Sequence, residues 1–397
     1  YIIILEILSC GKNQCRYCQL PCKILFGAIA SVGTGCIKGI PDGSRDLCRG
    51  QPLARRLARL PHTPVSRSPI HRQYVGFARA NNQAIEQSAG KYVLLLNPDT
   101  VIAENTLYEV FQFMEAHPEA GGTGVKMLDG DGRFLPESKR GFPTPWVSFC
   151  KIFGLSALFP HSRIFGRYHM KYLSPDECHP IDILSGAFMF MRRETLDKSG
   201  LLDESFFMYG EDIDLSYRLV LAGYTNYFLP TPIIHYKGES TKKGSLRYVR
   251  VFYEAMLIFF KKHYPHYSKG YYFAVKFSIF FRASLAAAYR VVSFPFHKHG
   301  KTEKKEKGKW YILSRTPQII ARLIPGIKHY TPIWSADEIP SSSERQDDRH
   351  IILDSGLLSY REIIETIQSK SDVRNHFLIY TPDPEIIISP QQTYTKP

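Results

Sequence analysis

The stretch KYVLLLNPDT, residues 91–100, decides how the rest of the chain reads. A short apolar run from Tyr92 to Leu96, bounded by Lys91 and by Asn97-Pro98, predicts a strand buried on both faces. Pro98 cannot donate to a strand ladder, so the strand stops there. Asn97 and Asp99 are then left at its carboxyl end, where open α/β sheets place their ligands. Upstream, ARANNQAIEQSAG (Ala78 to Gly90) has helical periodicity and ends at a glycine. Downstream, Glu104 to His117 repeats at helical period, Val125 to Leu128 is a short strand, and Gly130-Asp131-Gly132 is a turn. PIDILSGAFMFMRR, from Pro180, reads as strand, small-residue bend and strand. An acidic turn then enters a helix between Asp203 and Gly223, followed by strands at Tyr227-Phe228-Leu229 and Ile233-Ile234-His235. The expected class is α/β.

Composition sets the outer limits. With 397 residues, 44% of them hydrophobic and 22% charged, the chain is globular, which excludes a wholly disordered, collagenous or multi-span membrane protein. The length calls for a main domain and a smaller unit. The excess of 51 Lys+Arg over 37 Asp+Glu points to an anionic partner: nucleic acid, a phosphate-rich substrate or a membrane surface. The opening YIIILEILSC lacks the basic flank and small-residue cleavage pattern of a signal peptide, so export is not expected.

Residues 1–74 differ in texture from the rest. They hold six of the eight cysteines, and eleven Lys or Arg against three Asp or Glu. Cys10, Cys15, Cys18 and Cys22 overlap in spacing with iron–sulfur ligand runs, but the flanks lack the Gly/Pro turns that present thiolates. Gly33-Thr34-Gly35 lacks the third glycine of a dinucleotide loop. Arg45 to Arg72 could form a nucleic-acid arm, yet it has little aromatic interleaving and no known motif.

Beyond residue 245, residues 246–296 read as aromatic, amphipathic helices. Their run YYFAVKFSIFFRASLAAAYRVVSFPF is long enough to span a bilayer. Lys276, Arg282 and Arg290 would be costly at its centre, which favours an interfacial or packed helix. Residues 297–346 read as a basic linker, opening on HKHGKTEKKEKGK. Residues 347–397 form a small α/β unit with strand, helix and strand between His350 and Ile388.

Three places carry chemistry. Asp99 is either a turn aspartate or a ligand for a hard cation that holds a diphosphate. Glu211, Asp212 and Asp214 put three carboxylates into four positions. Helix N-termini favour acids, but three exceed what a cap requires, and one of them suits a base. His235, after two isoleucines, is either structural or a further metal ligand.

Taken together, VGFARANN, YVLLLNPDT, SGAFMFMRRE, DESFFMYGEDIDLSYRL and IIHYKGEST, between Val75 and Thr241, resemble the family 2 glycosyltransferases, above all bacterial rhamnosyltransferase-like members with a GT-A fold. The resemblance implies a catalytic domain over residues 75–245 that transfers a sugar, with inversion, from a nucleotide-diphosphate sugar to a hydroxyl acceptor. The acceptor would be lipid-linked or a saccharide, in cell-surface polysaccharide or glycolipid assembly. It places the enzyme in peripheral contact with the cytoplasmic face of a bacterial inner membrane or in the cytoplasm, with no nucleic acid as partner. It also implies Mg2+ or Mn2+ held by Asp99 and His235, Asp212 as the base, and Glu211 and Asp214 on the acceptor side. Asn81, Asn97, Gly186 and Ala187 fall on the donor side. Alternatives of other classes are a non-catalytic basic membrane- or nucleic-acid-binding α/β protein and an iron–sulfur protein.

The chain departs from that pattern at its start. The family opens with a strand like VSVVIVNYN, a helix like LEQSLQSV and a strand ending in VVDN, and residues 1–74 contain none of these. Back-translated and read one base out of step, Gly11 to Gly39 permits VIVNY and LEQSLQSV, and Arg45 to Tyr74 permits VVDN. Residues 11–74 therefore read as an out-of-frame translation, with the frame restored near Val75. The first β-α-β elements are then missing or scrambled, the cysteine cluster and arginine excess are artefacts, and this exact chain is expected to be inactive or poorly folded.

Overall fold

The computed structural model describes strands at Ile3–Ser9 and Ile24–Ile29, residues 76–236 apart from 207–208, residues 246–265, and most of 308–395. The six N-terminal cysteines, the Gly33-Thr34-Gly35 segment, the arginine-rich stretch, most of residues 266–296 and the lysine-rich start of the expected linker lie outside the described residues. So does nearly all of the segment read as out of frame. Among the described residues no helix is long and apolar enough to cross a membrane.

The main sheet is built around β3 (Tyr92–Leu96), all five residues of which are buried. Alternate side chains serve two cores. Tyr92, Leu94 and Leu96 pack with Val110, Phe111 and Met114 of the helix α2 (Thr106–Ala116). Val93 and Leu95 pack with Ala84 and Ile85 of α1 (Phe77–Gln87) and with Leu215 and Leu219 of α6 (Glu211–Leu221). A strand covered on both sides has no polar face to show, which is why the run is continuously apolar.

In spatial order the sheet runs β2 (Ile24–Ile29), β1 (Ile3–Ser9), β3, β7 (Phe188–Arg192), β5 (Ala120–Leu128), β8 (Thr225–His235) and β4 (Thr100–Ile102), with β6 (His179–Ile181) also paired to β8. β1 runs antiparallel to both β2 and β3. An antiparallel pair is not a β-α-β unit, which requires a parallel return, so the opening implied by the family resemblance is not present in these two strands.

β5 is longer than the expected Val125 to Leu128. Glycines hide its first half from a propensity reading, but they are needed: a Cβ on Gly121 would lie 2.8 Å from that of Tyr224, and one on Gly122 2.7 Å from Leu184 Cδ1. The two short strands expected around 227–235 are one strand. Its register against β5 jumps between Val125–Leu229 and Lys126–Pro232. Pro230 and Pro232 supply no N–H, and the bulge absorbs them. Buried Arg192, at the end of β7, donates to the carbonyls of Met114 at 2.6 Å and His117 at 3.2 Å, closing the C-terminal end of α2.

A second sheet contradicts the linker expected over residues 297–346. Its order is β10 (Thr331–Ile333), β9 (Gly308–Leu313), β11 (Asp348–Asp354), β12 (Asn375–Pro382), β13 (Glu385–Ile388) and β14 (Thr393–Thr395). The first four strands are parallel. β9 and the short helix α8 (Pro317–Leu323) therefore belong to the C-terminal unit. Neither was legible because β9 is six residues long and begins inside a lysine tract, and α8 is only seven residues long.

The two sheets share a core. Ala103, Leu128 and Ile234 of the first pack with Ile351, Ile363, Ile367 and Phe377 of the second. Glu104 accepts from the backbone N–H of Tyr360 at 2.9 Å and of Arg361 at 3.1 Å, placing a carboxylate on the N-terminus of α9 (Tyr360–Ser369). Gly132 turns with φ +82°, and a Cβ there would sit 2.3 Å from the Ile367 carbonyl oxygen. Gly132→Ala is expected to cost about 1–3 kcal/mol in denaturant unfolding. Gly154→Ala, at φ +80° with nothing within 4 Å, is expected to cost about 1 kcal/mol, the backbone contribution alone. Equal midpoints for the two variants would show that the contact with Ile367 does not matter.

Candidate active site

Two acidic centres meet at one turn. At the end of β3, Thr100 closes the Asn97-Pro98-Asp99 turn, its N–H at 3.3 Å and its hydroxyl at 2.7 Å from the Asn97 carbonyl. β4 then pairs with the end of β8, Thr100 opposite His235. That register brings His235 Nε2 to 3.3 Å from Asp99 Oδ1 and to 3.4 Å from Asn97 Nδ2. Burial works to raise the Asp99 carboxyl, but the hydrogen bond and charge of His235 outweigh it and hold Asp99 below the usual carboxylate range. His235 Nδ1 is buried and unpartnered.

The second centre is the first turn of α6. Gly210 enters it with φ 93°, a left-handed conformation suited to glycine, and Glu211, Asp212 and Asp214 follow. Asp212 Oδ2 lies 2.5 Å from Arg140 Nη2 and accepts from the Gly186 N–H at 3.3 Å, while Oδ1 accepts from the Ile213 N–H at 2.8 Å. Arg140 also donates to the Leu184 carbonyl at 3.2 Å and meets the hydroxyl of buried Tyr168. Glu211 is buried with Oε2 unpartnered. Burial first, and then the charge on Asp212, push its carboxyl upward, so its neutral form is favoured.

The tight turn between β6 and β7 joins the two centres. The Phe188 N–H donates to the Ser185 carbonyl at 3.0 Å, and inside that turn the Ala187 carbonyl accepts from the Asn97 N–H at 3.0 Å while Gly186 donates to Asp212. A Cβ on Gly186 would come within 3.6 Å of the Asp212 Cβ. The structure thus brings Asn97, Asp99, Gly186, Ala187, Glu211, Asp212 and His235 into one neighbourhood.

Two expected residues have other tasks. Asp214 does not face an acceptor: its side chain is fully buried, 2.8 Å from Arg218 Nε, 2.6 Å from His263 Nε2 and 2.9 Å from Lys262 Nζ. It ties α6 to α7 (Leu246–His263). Burial opposes its charge, but His263, Arg218 and Lys262 prevail and hold the carboxyl down at about 2. Asn81 turns back on its own helix and donates to the Phe77 carbonyl at 2.7 Å. Its neighbour Asn82 spans to the 202–204 loop, donating to Leu202 O at 2.8 Å and accepting from its N–H at 3.0 Å. Arg140 and Tyr168 went unnoticed in the sequence because nothing in their spacing links them to acids that lie more than forty residues away.

Among the described residues no group of three or more His, Cys, Asp or Glu is placed to hold a metal ion. Asp99 and His235 offer one carboxylate and one imidazole. That fits a hard cation whose remaining ligands are phosphate oxygens and water, the usual manner for Mg2+ and its relatives.

Residues 58–250 match the family model described as "Glycosyltransferase like family 2". These residues form a family 2-like glycosyltransferase domain. The match begins upstream of Val75, where the resemblance was expected to start. An N-acetylglucosaminyl-diphospho-decaprenol L-rhamnosyltransferase of Mycobacterium tuberculosis is 28% identical over 197 residues, covering 47% of this chain and 63% of that protein. The rhamnosyltransferase WbbL of Escherichia coli is 29% identical over 173 residues, covering 41% and 61%. The chain spans about three-fifths of the length of these curated relatives. Among solved structures, a mannosyltransferase of Pyrobaculum calidifontis in complex with GDP-Man and Mn2+ overlaps at TM-score 0.31 and 15% identity, covering 64% of this chain and 68% of that one, too loosely to carry weight.

Asp214 gives the domain an acid-sensitive lock. Its folded carboxyl is depressed below the unfolded value of about 3.9, so the stability it contributes is present above about pH 4 and lost as pH falls toward 2. Asp214→Asn is expected to cost on the order of 2–3 kcal/mol at pH 7 and much less near pH 2. Urea unfolding at both pH values measures this; an equal loss at the two would rule out the charge network as the cause.

Proposed function

We propose that the domain transfers a sugar from a nucleotide-diphosphate sugar to a hydroxyl of a lipid-linked or saccharide acceptor, inverting the anomeric centre, in cell-envelope glycan assembly at the cytoplasmic face of a bacterial membrane. The observation that carries this reading is the Ser185–Phe188 turn, which binds the Asn97-Pro98-Asp99 turn on one side and the Asp212 carboxylate on the other. Sugar transfer by displacement needs this combination: an anion-holding site for the leaving diphosphate, and a base for the acceptor hydroxyl close by. The rhamnosyltransferase relatives favour a deoxyhexosyl or hexosyl donor and a polyprenyl-diphosphate-linked acceptor.

In this reading Asp212 removes the acceptor proton as the sugar–oxygen bond forms. Arg140 and the Gly186 N–H fix the direction of its carboxylate. Glu211, buried beside it in neutral form, adds no second charge to repel the first and is available to contact the acceptor. Asp99 and His235 would hold Mg2+ or Mn2+, which supplies charge neutralisation for the departing diphosphate. Asn97, Gly186 and Ala187 line the donor side, the missing Cβ of Gly186 allowing close approach. The family match begins at residue 58, inside the segment read as out of frame, so assays compare this chain with a frame-restored version, whose activity is expected to be higher.

Asp212→Asn is expected to retain nucleotide-sugar binding and lose transfer by at least about a hundredfold, since the amide cannot accept a proton. Calorimetry over a panel of nucleoside-diphosphate sugars, paired with product analysis, reads both; transfer near the parent rate would remove Asp212 from the base role. Asp99→Ala and His235→Ala are expected to weaken donor binding in Mn2+ or Mg2+ and to leave metal-free binding unchanged. Donor binding insensitive to chelator and to both substitutions would place the cation elsewhere.

A further inference from the structure

From Ser138 to Pro175 the chain carries six Lys or Arg and no Asp or Glu. Lys139 and Arg140 are buried within the domain, while Lys151, Arg163, Arg167 and Lys171 are exposed. The same segment holds much of the exposed apolar surface of the described residues: Trp146, Phe149, Phe153, Leu158, Phe159 and Ile164 are between 43% and 71% exposed. Large apolar side chains so grouped are unusual on a protein surface and mark a contact site.

The group is ordered. Trp146, Phe149 and Phe153 lie three and four residues apart along α3 (Pro145–Ile152) and its C-cap, hence on one face. The opposite face, with Val147 and Cys150, is buried. Thr144 caps the helix by accepting from the Val147 N–H at 3.3 Å, and Ser148 donates to the Pro143 carbonyl at 3.1 Å. The rings touch in series: Phe149 lies 4.6 Å from Phe153 and 5.7 Å from Trp146, and Phe165 lies 6.1 Å from Trp146 and 5.4 Å from Phe159.

We propose that this aromatic and cationic face, formed by α3, the single turn α4 (Leu155–Leu158) and the loop to Lys171, seats the domain on an anionic lipid bilayer. The chemistry of the face selects that occupant. Aromatic rings with polar surroundings favour the boundary between headgroups and acyl chains, and exposed Lys151, Arg163 and Lys171, beside an Arg167 that lies 3.8 Å from Asp182, give the face an excess of positive charge that is drawn to an anionic surface. A second copy of this chain fits poorly, since a twofold contact would set the same four cations against one another. The face also lies next to the chemistry: Gly141, beside Arg140, donates its N–H to the Tyr168 carbonyl at 3.0 Å, and the Tyr168 hydroxyl meets Arg140, which holds Asp212. Resting on the reading of Asp212 as the base, this delivers a lipid-linked acceptor to that carboxylate without lifting its lipid from the membrane. It adds residues 145–171 to the membrane contact expected of residues 246–296.

The experiment is flotation of the full chain with phosphatidylcholine vesicles, with and without phosphatidylglycerol, in the absence of any nucleotide sugar, so that its outcome is independent of activity. Binding is expected to anionic vesicles only, weakened by salt. Combined Trp146→Ser, Phe149→Ser and Phe153→Ser, or combined Lys151→Glu, Arg163→Glu and Lys171→Glu, is expected to lower it about tenfold or more. Should the serine variant fail to fold by circular dichroism, Trp146 fluorescence in a Trp310→Phe, Trp334→Phe background, which leaves Trp146 as the one tryptophan of the three, serves instead, and a blue shift on anionic vesicles is expected. Equal binding to neutral vesicles, unaltered binding by folded variants, unshifted emission, or a lipid-free dimer that the serine substitutions dissociate would each overturn the proposal.

Discussion

The register of β3 against β7 governs where every functional group of this domain falls. Leu96 pairs with Phe188, so the residues just beyond, Asn97 and Ala187, meet across the strand ends and are joined by a backbone hydrogen bond. A slip of one residue would exchange the faces of the whole strand, burying Leu94 in the wrong core and pulling the Asp99 turn away from the Gly186 turn. Two cores, one on each side of β3, make that slip expensive. The precision of the charged centres is thus set by apolar packing several residues away.

Around that framework the four carboxylates show how environment assigns work to one residue type. Asp214 has two cations, Arg218 and Lys262, and the His263 imidazole as neighbours and no solvent, and it serves as a brace between α6 and α7. Glu211 has burial without a partner and is pushed toward its neutral form. Asp212 has one guanidinium and two backbone N–H groups, which hold it beside the Gly186 turn. Asp99 has a histidine beside it, and the Asn97 amide approaches the same ring nitrogen. Adjacency in sequence says little about these differences; Asp212 and Asp214 diverge because successive helical positions point in different directions.

The C-terminal sheet is joined to the domain at the ends of β4, β5 and β8, away from the Gly186 turn. Glu104 on the N-terminus of α9 and the tight passage of Gly132 past Ile367 make that joint specific rather than merely apolar. Because β4 begins directly after Asp99 and β8 ends on His235, the second sheet packs against the strands that carry one wall of the candidate site. This is a structural reason for its presence in the same chain.

By itself the sequence determined the α/β class, the strand that delivers Asp99, the helix that delivers Asp212, and the family resemblance, because each rests on a local pattern: a continuous apolar run, a proline stop, a cluster of acids at a helix start. It also showed the break in texture at residues 1–74. What lay beyond it was decided by contacts between distant segments. The glycine-rich half of β5 is a strand because β7 and β8 pair with it, its glycines accommodating Tyr224 and Leu184, and β9 joins a sheet because β11 and β10 lie beside it. Arg140 reaches Asp212 across 72 positions, and His263 reaches Asp214 across 49. Burial and charge pairing act through space, so which acid stays charged, which is neutral and which is structural was settled only when the tertiary fold chose their neighbours.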